Sequence, residues 1–224
     1  MSPPEPINSI NAFVPGAIAW RGMTKPDVHD VIVIGASAGG VPALCAIASA
    51  LPAHLPASVF IVMHVPPWKT SALPEILSRC GPLPAVHAKS GEPIEQGRIY
   101  VAPPDYHLLV NSGNHLELWH GPKENAFRPS VNALFRSAAA AFGSRVAGVI
   151  LSGSLEDGAA GLWWVKQRNG VALVQQPNDA QFPQMPQTAL QHVPVDYIAP
   201  AAEIGRILVD LARGGLAQVR GFLK

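Results

Sequence analysis

The chain has few charged residues for its length. Asp, Glu, Lys and Arg make up 14% of its 224 residues, the formal net charge is +1, and 48% of the residues are apolar. A strong positive field that would recruit nucleic acid or an anionic membrane is therefore absent. The apolar content also excludes an intrinsically disordered chain. We expect one sizeable folded domain that binds no nucleic acid.

Long apolar runs and a secretory signal are missing as well. No run reaches about 18 apolar residues, the length that a membrane-spanning helix requires. The first Lys or Arg of the chain is Arg21, and prolines precede every apolar stretch, which is unlike a secretory signal. We therefore expect a cytoplasmic protein without direct membrane insertion.

Cysteine is scarce, with residues only at Cys45 and Cys80. Both lie in helix-like apolar patterns, and their spacing matches no metal-binding motif. We expect two reduced core cysteines in a cytosolic protein, although the sequence leaves a disulfide between them open. We expect neither a metal nor another cofactor.

What the chain does contain is an alternation of strand-like and helix-like segments from Asp30 onward. Strand-like segments occupy 31–34, 58–63, 97–102, 146–151 and 170–174. Helix-like segments begin near 41 and occupy 71–80, 129–142, 158–168 and 201–213. Residues 107–111 and 115–120 resemble the strands of a hairpin. This order predicts an α/β fold, a doubly wound and mostly parallel sheet flanked by helices, with an inserted antiparallel β-hairpin.

The most informative segment is Gly-Ala-Ser-Ala-Gly at 35–39, directly after the first strand-like run. A serine between glycines at a strand-to-helix turn has the spacing of a nucleophile elbow, which exposes the Ser37 hydroxyl. The free amides at the start of the next helix favour negative charge. Two alternatives are that Ser37 caps the helix or that the loop binds a phosphate group.

Two further polar residues follow predicted strands. His64 follows the strand at 58–63, and Asp157 lies in the loop after the strand at 146–151. Because chemistry in a parallel sheet gathers at the carboxyl ends of strands, Ser37, His64 and Asp157 are expected to converge. A serine, an imidazole and a carboxylate are the parts of a serine hydrolase. The alternatives are a structural histidine at a strand end and a helix N-cap aspartate.

The other histidines offer competing bases. They are His87, His107, His115, His120 and His192. The order Ser37, Asp157, His192 would match an α/β-hydrolase. That fold needs several strands before its nucleophile, and the residues before Asp30 contain no clear strand. The order Ser37, His64, Asp157 therefore fits better.

Five separated segments carry a more specific signal. They are Val-Ile-Gly-Ala-Ser-Ala-Gly-Gly at 33–40, Val-Met-His-Val at 62–65, Tyr-Val-Ala-Pro-Pro-Asp-Tyr-His at 100–107, Phe-Arg-Pro-Ser-Val-Asn at 127–132 and Leu-Ser-Gly-Ser-Leu-Glu-Asp-Gly-Ala at 151–159. In this order they resemble the catalytic domain of the protein-glutamate methylesterases of bacterial chemotaxis, the CheB type. The resemblance runs from about Asp30 to about Leu211.

The resemblance implies a Ser37–His64–Asp157 triad that hydrolyses methyl esters on receptor glutamates and releases methanol. It also implies deamidation of some receptor glutamines, and both reactions pass through an acyl-serine. The oxyanion would be held by the backbone N–H of Ala38 and by a second donor at or near Ser154.

The resemblance also implies partners. They are the cytoplasmic coiled coil of a methyl-accepting chemoreceptor and other members of its signalling complex. Arg128 is a candidate for contact with an acidic receptor helix or a substrate carboxylate, with a solvated arginine as the alternative.

Three departures limit what carries over from this family. Ala38 stands where the family often has Thr, and Ser154 where it often has Met. Residues 1–28 show no sustained periodicity and are expected to form an N-terminal extension, with a methylesterase-like catalytic domain at 29–224. The phosphorylation-controlled receiver domain that the family usually carries has no counterpart in this extension, so that mode of regulation is not expected.

Two more expectations concern the second half of the chain. Trp163 and Trp164, on the helix after Asp157, are expected to pack in the core against the sheet rather than to form a substrate platform. Residues 183–186, Pro-Gln-Met-Pro, are expected to form a shaped loop.

Two functions remain as alternatives to the methylesterase. One is a non-catalytic signalling module that binds an anion or a nucleotide. The other is a serine esterase that acts on a different ester.

Overall fold

The central element is a seven-stranded sheet in which every neighbouring pair of strands is parallel. The computed structural model describes residues 28–215, so the expected extension at 1–28 lies almost wholly outside the described residues, as do the last nine residues of the expected domain. The strands of this sheet are β1 (Val31–Ala36), β2 (Ser58–Met63), β3 (Ala85–His87), β4 (Arg98–Val101), β7 (Val146–Ile150), β8 (Val171–Gln175) and β9 (Tyr197–Ala199). Their spatial order is β3-β4-β2-β1-β7-β8-β9.

Within residues 28–215, six α-helices cover the two faces of this sheet. They are α1 (Gly40–Ala50), α2 (Leu73–Cys80), α3 (Val131–Phe142), α4 (Ala159–Gln167), α5 (Gln184–His192) and α6 (Ala201–Ala212). Buried residues of α1, α2 and α6 form one apolar core with the sheet, and those of α3, α4 and α5 form the other. Alternate residues of β1 serve the two cores, because successive side chains of a strand point to opposite faces.

A separate antiparallel hairpin is inserted between β4 and α3. Its strands, β5 (His107–Val110) and β6 (Leu116–Trp119), pair with each other and bury Leu108, Val110 and Leu116 in the α3 core. The predicted α/β fold with an inserted hairpin is therefore confirmed. The helix at 131–142 comes so close to the sheet that a Cβ on Gly35 would collide with Val131. This contact sets the start of α3 beside the end of β1.

The carboxyl ends of the central strands are level with one another. Ala36 pairs with Met63 across β1 and β2, and Gly35 pairs with Ile150 across β1 and β7. The residues that follow these strands therefore meet at one edge, as expected for a parallel sheet. No helix within residues 28–215 has both the length and the apolar content to span a bilayer.

Two expectations about local structure are wrong. Cys45 on α1 and Cys80 at the end of α2 form a disulfide rather than two reduced thiols, because the packing of α1 against α2 brings their Cα atoms within 5.2 Å. Residues 183–186 are the N-cap position and the first turn of α5 rather than a loop. Pro186 is tolerated there because an N–H in the first helical turn has no helical partner to lose.

Candidate active site

Ser37 occupies the tight turn between β1 and α1. Its N–H donates to Ser152 O at 2.9 Å, and its own carbonyl accepts from Gly40 N at 2.9 Å. Gly39 has φ +69°, a conformation that glycine adopts without steric cost. Ser37 is thus fixed at both ends, and only 9% of it is exposed.

The loop after β7 passes directly against the Ser37 side chain. A Cβ on Gly153 would lie 2.8 Å from Ser37 Cβ and would overlap Met185 Sδ of α5. Gly153 N–H donates to Phe182 O, and Met185 N–H donates back to Gly153 O. These hydrogen bonds to Phe182 and to α5 hold the loop so that Gly153 lies beside the serine.

His64 and Asp157 form a buried pair at the same edge. His64 Nε2 lies 2.9 Å from Asp157 Oδ2, and the two side chains are 5% and 0% exposed. The imidazole also stacks flat on the ring of Phe127, with 3.7 Å between centroids and 3° between planes. The hydrogen bond and the stacked ring together fix the position and tilt of the imidazole.

The carboxylate of Asp157 lies at the amino end of α3. It accepts from Val131 N at 2.7 Å, from Asn132 N at 3.3 Å and from Ser130 Oγ at 3.0 Å. These N–H groups have no partner inside the helix, and the helix dipole favours a negative group there. The Asp157 side chain therefore accepts the free donors of α3, whose N-cap position is Ser130, as well as pairing with His64.

Helices α3 and α4 cap each other. Asn132 Oδ1 from α3 accepts from Gly158 N at 3.1 Å and from Gly161 N at 2.7 Å, which are donors at the start of α4. In return, Asp157, just before α4, accepts the donors at the start of α3. Each cap therefore holds the loop that carries the other.

The remaining nitrogen of His64, Nδ1, is buried and has no hydrogen-bond partner among residues 28–215. The Ser37 hydroxyl is not bonded to it in this conformation. Hydrogen bonds between a nucleophile and its base often tighten only when substrate is bound.

Two backbone N–H groups near Ser37 remain available to a ligand. Those of Gly153 and Leu155 donate to Phe182 O and Gln184 Oε1, whereas that of Ser154 donates to no described residue. The Ala38 N–H likewise has no acceptor within the described part of the chain. These are the two donors that the sequence suggests for an oxyanion.

Arg128 is held away from bulk solvent by the hairpin region. Its Nε and Nη2 donate to Asp105 Oδ1 at 2.9 and 2.7 Å, and its Nη1 donates to Gly121 O. Its side chain is only 14% exposed, so the solvated arginine is excluded. Contact between Arg128 and a substrate stays a prediction.

Four of the competing histidines have other partners. His107 Nε2 lies 2.9 Å from Pro122 O, His87 Nε2 lies 2.9 Å from Ser71 O, and His115 Nδ1 contacts Gly113 O. His120 pairs with Asp105, and His192 lies at the end of α5. In residues 28–215, His64 is the only histidine that is bonded to Asp157.

The expectation for the two tryptophans is wrong. Trp163 and Trp164 are 41% and 39% exposed and line a cavity of about 470 Å³ with Thr188 and His192. The reason is helical phase, because Leu162 and Val165 take the buried face of α4.

Four further residues build the site beyond those that the sequence predicts. Phe127, Ser130, Asn132 and Gln184 were not singled out as site residues. The first three lie in the segment 127–132, and a polar Ser-Val-Asn at a helix start is a usable signal for capping.

A parallel sheet with a serine turn, a histidine and a buried aspartate at its carboxyl edge is the architecture of a serine hydrolase. Comparison with known proteins gives the family. The CheB methylesterase family model matches residues 32–208, and the chain belongs to this family.

Relatives and a solved structure agree with this assignment. A Leptospira interrogans relative is 34% identical over 190 residues, which are 85% of this chain and 98% of the relative. The Anaeromyxobacter dehalogenans protein-glutamate methylesterase/protein-glutamine glutaminase 2 is 38% identical over 82% of this chain and 54% of its own length. The crystal structure of the Thermotoga maritima CheB methylesterase catalytic domain matches with a TM-score of 0.78 and 31% identity, over 81% of this chain and 98% of that one.

Proposed function

We propose that this protein hydrolyses the methyl esters of glutamate side chains in a chemoreceptor and releases methanol, with Ser37, His64 and Asp157 as its triad. The observation that carries the proposal is the buried 2.9 Å contact between His64 Nε2 and Asp157 Oδ2 at the edge where Ser37 follows β1. The proposed partner is the cytoplasmic coiled coil of a methyl-accepting receptor. The proposed catalytic domain begins at residue 29.

The surroundings of Asp157 determine the tautomer of His64 in this mechanism. The carboxylate already accepts from backbone and hydroxyl donors, so it acts as an acceptor towards His64 as well. The His64 Nε2 atom then carries the proton, and Nδ1 carries the free lone pair. Nδ1 is therefore the base that we assign to the Ser37 hydroxyl.

The reaction then proceeds in two halves. Ser37 Oγ attacks the ester carbonyl carbon while His64 takes its proton, and the oxyanion is held by the N–H groups of Ala38 and Ser154. The C–OCH₃ bond breaks, His64 returns the proton to the leaving oxygen, and methanol departs. Water then attacks the acyl-serine with His64 again as base, which frees Ser37 and a glutamate carboxylate. A glutamine side chain follows the same route, with ammonia as the leaving group.

The test is methanol release from methylated receptor membranes by three proteins. These are the wild type, Ser37→Ala and the control Ser49→Ala, which removes an exposed α1 hydroxyl bonded only to Ala46 O. We expect release by the wild type and the control, and a fall of about 10⁴-fold or more for Ser37→Ala.

Three other outcomes would contradict the proposal. Equal release by wild type and Ser37→Ala would remove Ser37 as the nucleophile. Hydrolysis of small esters without release from receptors would support an esterase with another substrate. Absence of both activities would support the binding module.

A further inference from the structure

Leu155 has an unusual backbone for its side chain. It lies in the loop between β7 and α4 with φ +68°, a left-handed conformation that bulky L residues rarely adopt. The Leu155 side chain does not pack in the core, because 51% of the residue is exposed. Backbone strain that serves no packing in the core is typical of residues at active sites and ligand-binding sites.

The strained conformation is held on both sides. Leu155 N–H donates to Gln184 Oε1 at 3.0 Å, and two residues further on Asp157 is fixed by the start of α3. The loop therefore has little freedom to turn Leu155 inward, and its exposure is a fixed property of this edge.

Leu155 lines a cavity of about 400 Å³ that reaches one candidate catalytic residue, Asp157. The other lining residues are Asn125, Phe127, Glu156, Gln184 and Thr188. Phe127 is the ring on which His64 stacks. The cavity thus has apolar side chains close to the carboxylate that is bonded to His64.

The same edge of the sheet carries other exposed apolar side chains. Four loops that follow parallel strands each present one, and we call these residues the apolar rim: Trp68 after β2, Tyr106 after β4, Leu155 after β7 and Phe182 after β8. Their exposed fractions run from 40% for Phe182 to 82% for Trp68. Exposed apolar residues on several loops at one edge of a sheet are candidates for contact with another protein.

We propose that Leu155 is a specificity-determining residue that contacts apolar side chains flanking the target glutamate of a protein substrate. This inference rests on the proposed function and deepens it. The occupant that follows from the proposed function is one helical segment of the receptor coiled coil. On such a helix the residues three and four positions from the glutamate lie beside it on the same face. The apolar rim would contact these neighbours, which a small ester lacks.

The test compares two substrates, methylated receptor membranes and p-nitrophenyl acetate. Leu155→Gly and Leu155→Asn remove the apolar side chain, and both residues tolerate positive φ, so folding is expected to survive. We expect the ratio of kcat/KM on receptor to kcat/KM on the small ester to fall about 10-fold or more. Leu155→Met should keep most of the ratio. The control Ile76→Ala, on an exposed aliphatic residue of α2, should keep it unchanged.

If the ratio of the two kcat/KM values stays within about 2-fold of wild type in both Leu155→Gly and Leu155→Asn, the inference is wrong and the proposed function stands. An equal loss on both substrates would also overturn the inference, because it would show that Leu155 acts through the loop that carries Asp157. A wild type that releases no methanol from receptor would overturn the proposed function and this inference together. If the Leu155 variants melt at or above the melting temperature of the wild type, this result agrees with relief of backbone strain at φ +68°.

Discussion

Two histidine–aspartate pairs in this protein have nearly the same length and very different surroundings. His64 and Asp157 are 2.9 Å apart with side chains 5% and 0% exposed, whereas His120 and Asp105 are 3.0 Å apart with side chains 52% and 30% exposed. His64 lies flat on Phe127, and His120 is tilted against its aromatic neighbour, Tyr106. A short hydrogen bond between histidine and aspartate therefore does not identify a catalytic pair by itself.

The charge balance around each aspartate separates the two pairs further. Asp105 forms an ion pair with Arg128, so its negative charge is already compensated by a cation. Asp157 has no ion pair with Lys or Arg among residues 28–215, and its donors other than His64 are neutral groups, namely Asn125 and the start of α3. Its charge is thus available to stabilise an imidazolium that forms during reaction. Burial and the absence of an ion-paired arginine, rather than distance, distinguish the candidate catalytic pair.

The largest expected effect comes from removing each histidine in turn. His64→Ala should lower kcat for methanol release by about 10⁶-fold, as expected for loss of the base of a triad. His120→Ala should change kcat by less than about 2-fold, because its pair lies on the exposed hairpin region. Both variants are assayed on methylated receptor membranes beside wild type. A comparable loss from the two variants would contradict the distinction drawn between the pairs.

A smaller effect is expected from removing the Asn132 side chain. Asn132 supports the loop of the His64–Asp157 pair, and the His120–Asp105 pair has no equivalent support among the described residues. Asn132→Ala leaves the buried N–H groups of Gly158 and Gly161 without their acceptor. We expect a loss of about 2–4 kcal/mol in the free energy of unfolding, measured by urea denaturation. Asn132→Asp keeps an acceptor oxygen but buries a second carboxylate beside Asp157, so it should recover only part of this loss.

The two outcomes at Asn132 are informative in different ways. An Asn132→Ala protein as stable as wild type would show that the mutual capping of α3 and α4 contributes little. Recovery of stability in Asn132→Asp with reduced kcat would show that a second carboxylate near Asp157 disturbs His64.

The sequence predicts the central strands well because their signals are local. The apolar runs at 58–63 and 146–151 correspond to β2 (Ser58–Met63) and β7 (Val146–Ile150) within one residue. The short edge strands Ala85–His87 and Tyr197–Ala199 were not predicted, since three residues are too few to show a periodicity. Edge strands are defined by pairing with a neighbour, which is a tertiary property.

The candidate site shows the same division between local and tertiary information. Convergence of Ser37, His64 and Asp157 at one edge could be expected, because all parallel strands end at the same side. The cap that Asp157 provides to α3, and the outward phase of Trp163, depend on how α3, α4 and α5 pack. No pattern within one segment contains that information.

The smallest expected effect concerns the exposed pair and its dependence on pH. Hydrogen bonds from His120 and then from Arg128 hold the pKa of the Asp105 carboxyl below its ordinary value of 3.8. A depressed folded-state pKa contributes stability that is present above the ordinary carboxyl pKa and is lost as pH falls through the folded value. The melting temperature of wild type should therefore exceed that of Asp105→Asn by a small, constant margin near neutral pH, and the margin should vanish in acid. His120→Ala removes the larger cause of the lowered Asp105 pKa, so it should reduce this difference in melting temperature. If the difference persists or grows as the pH falls below the folded-state pKa of Asp105, then Asp105 acts through packing. The contrast in charge between Asp105 and Asp157 would then lose its support.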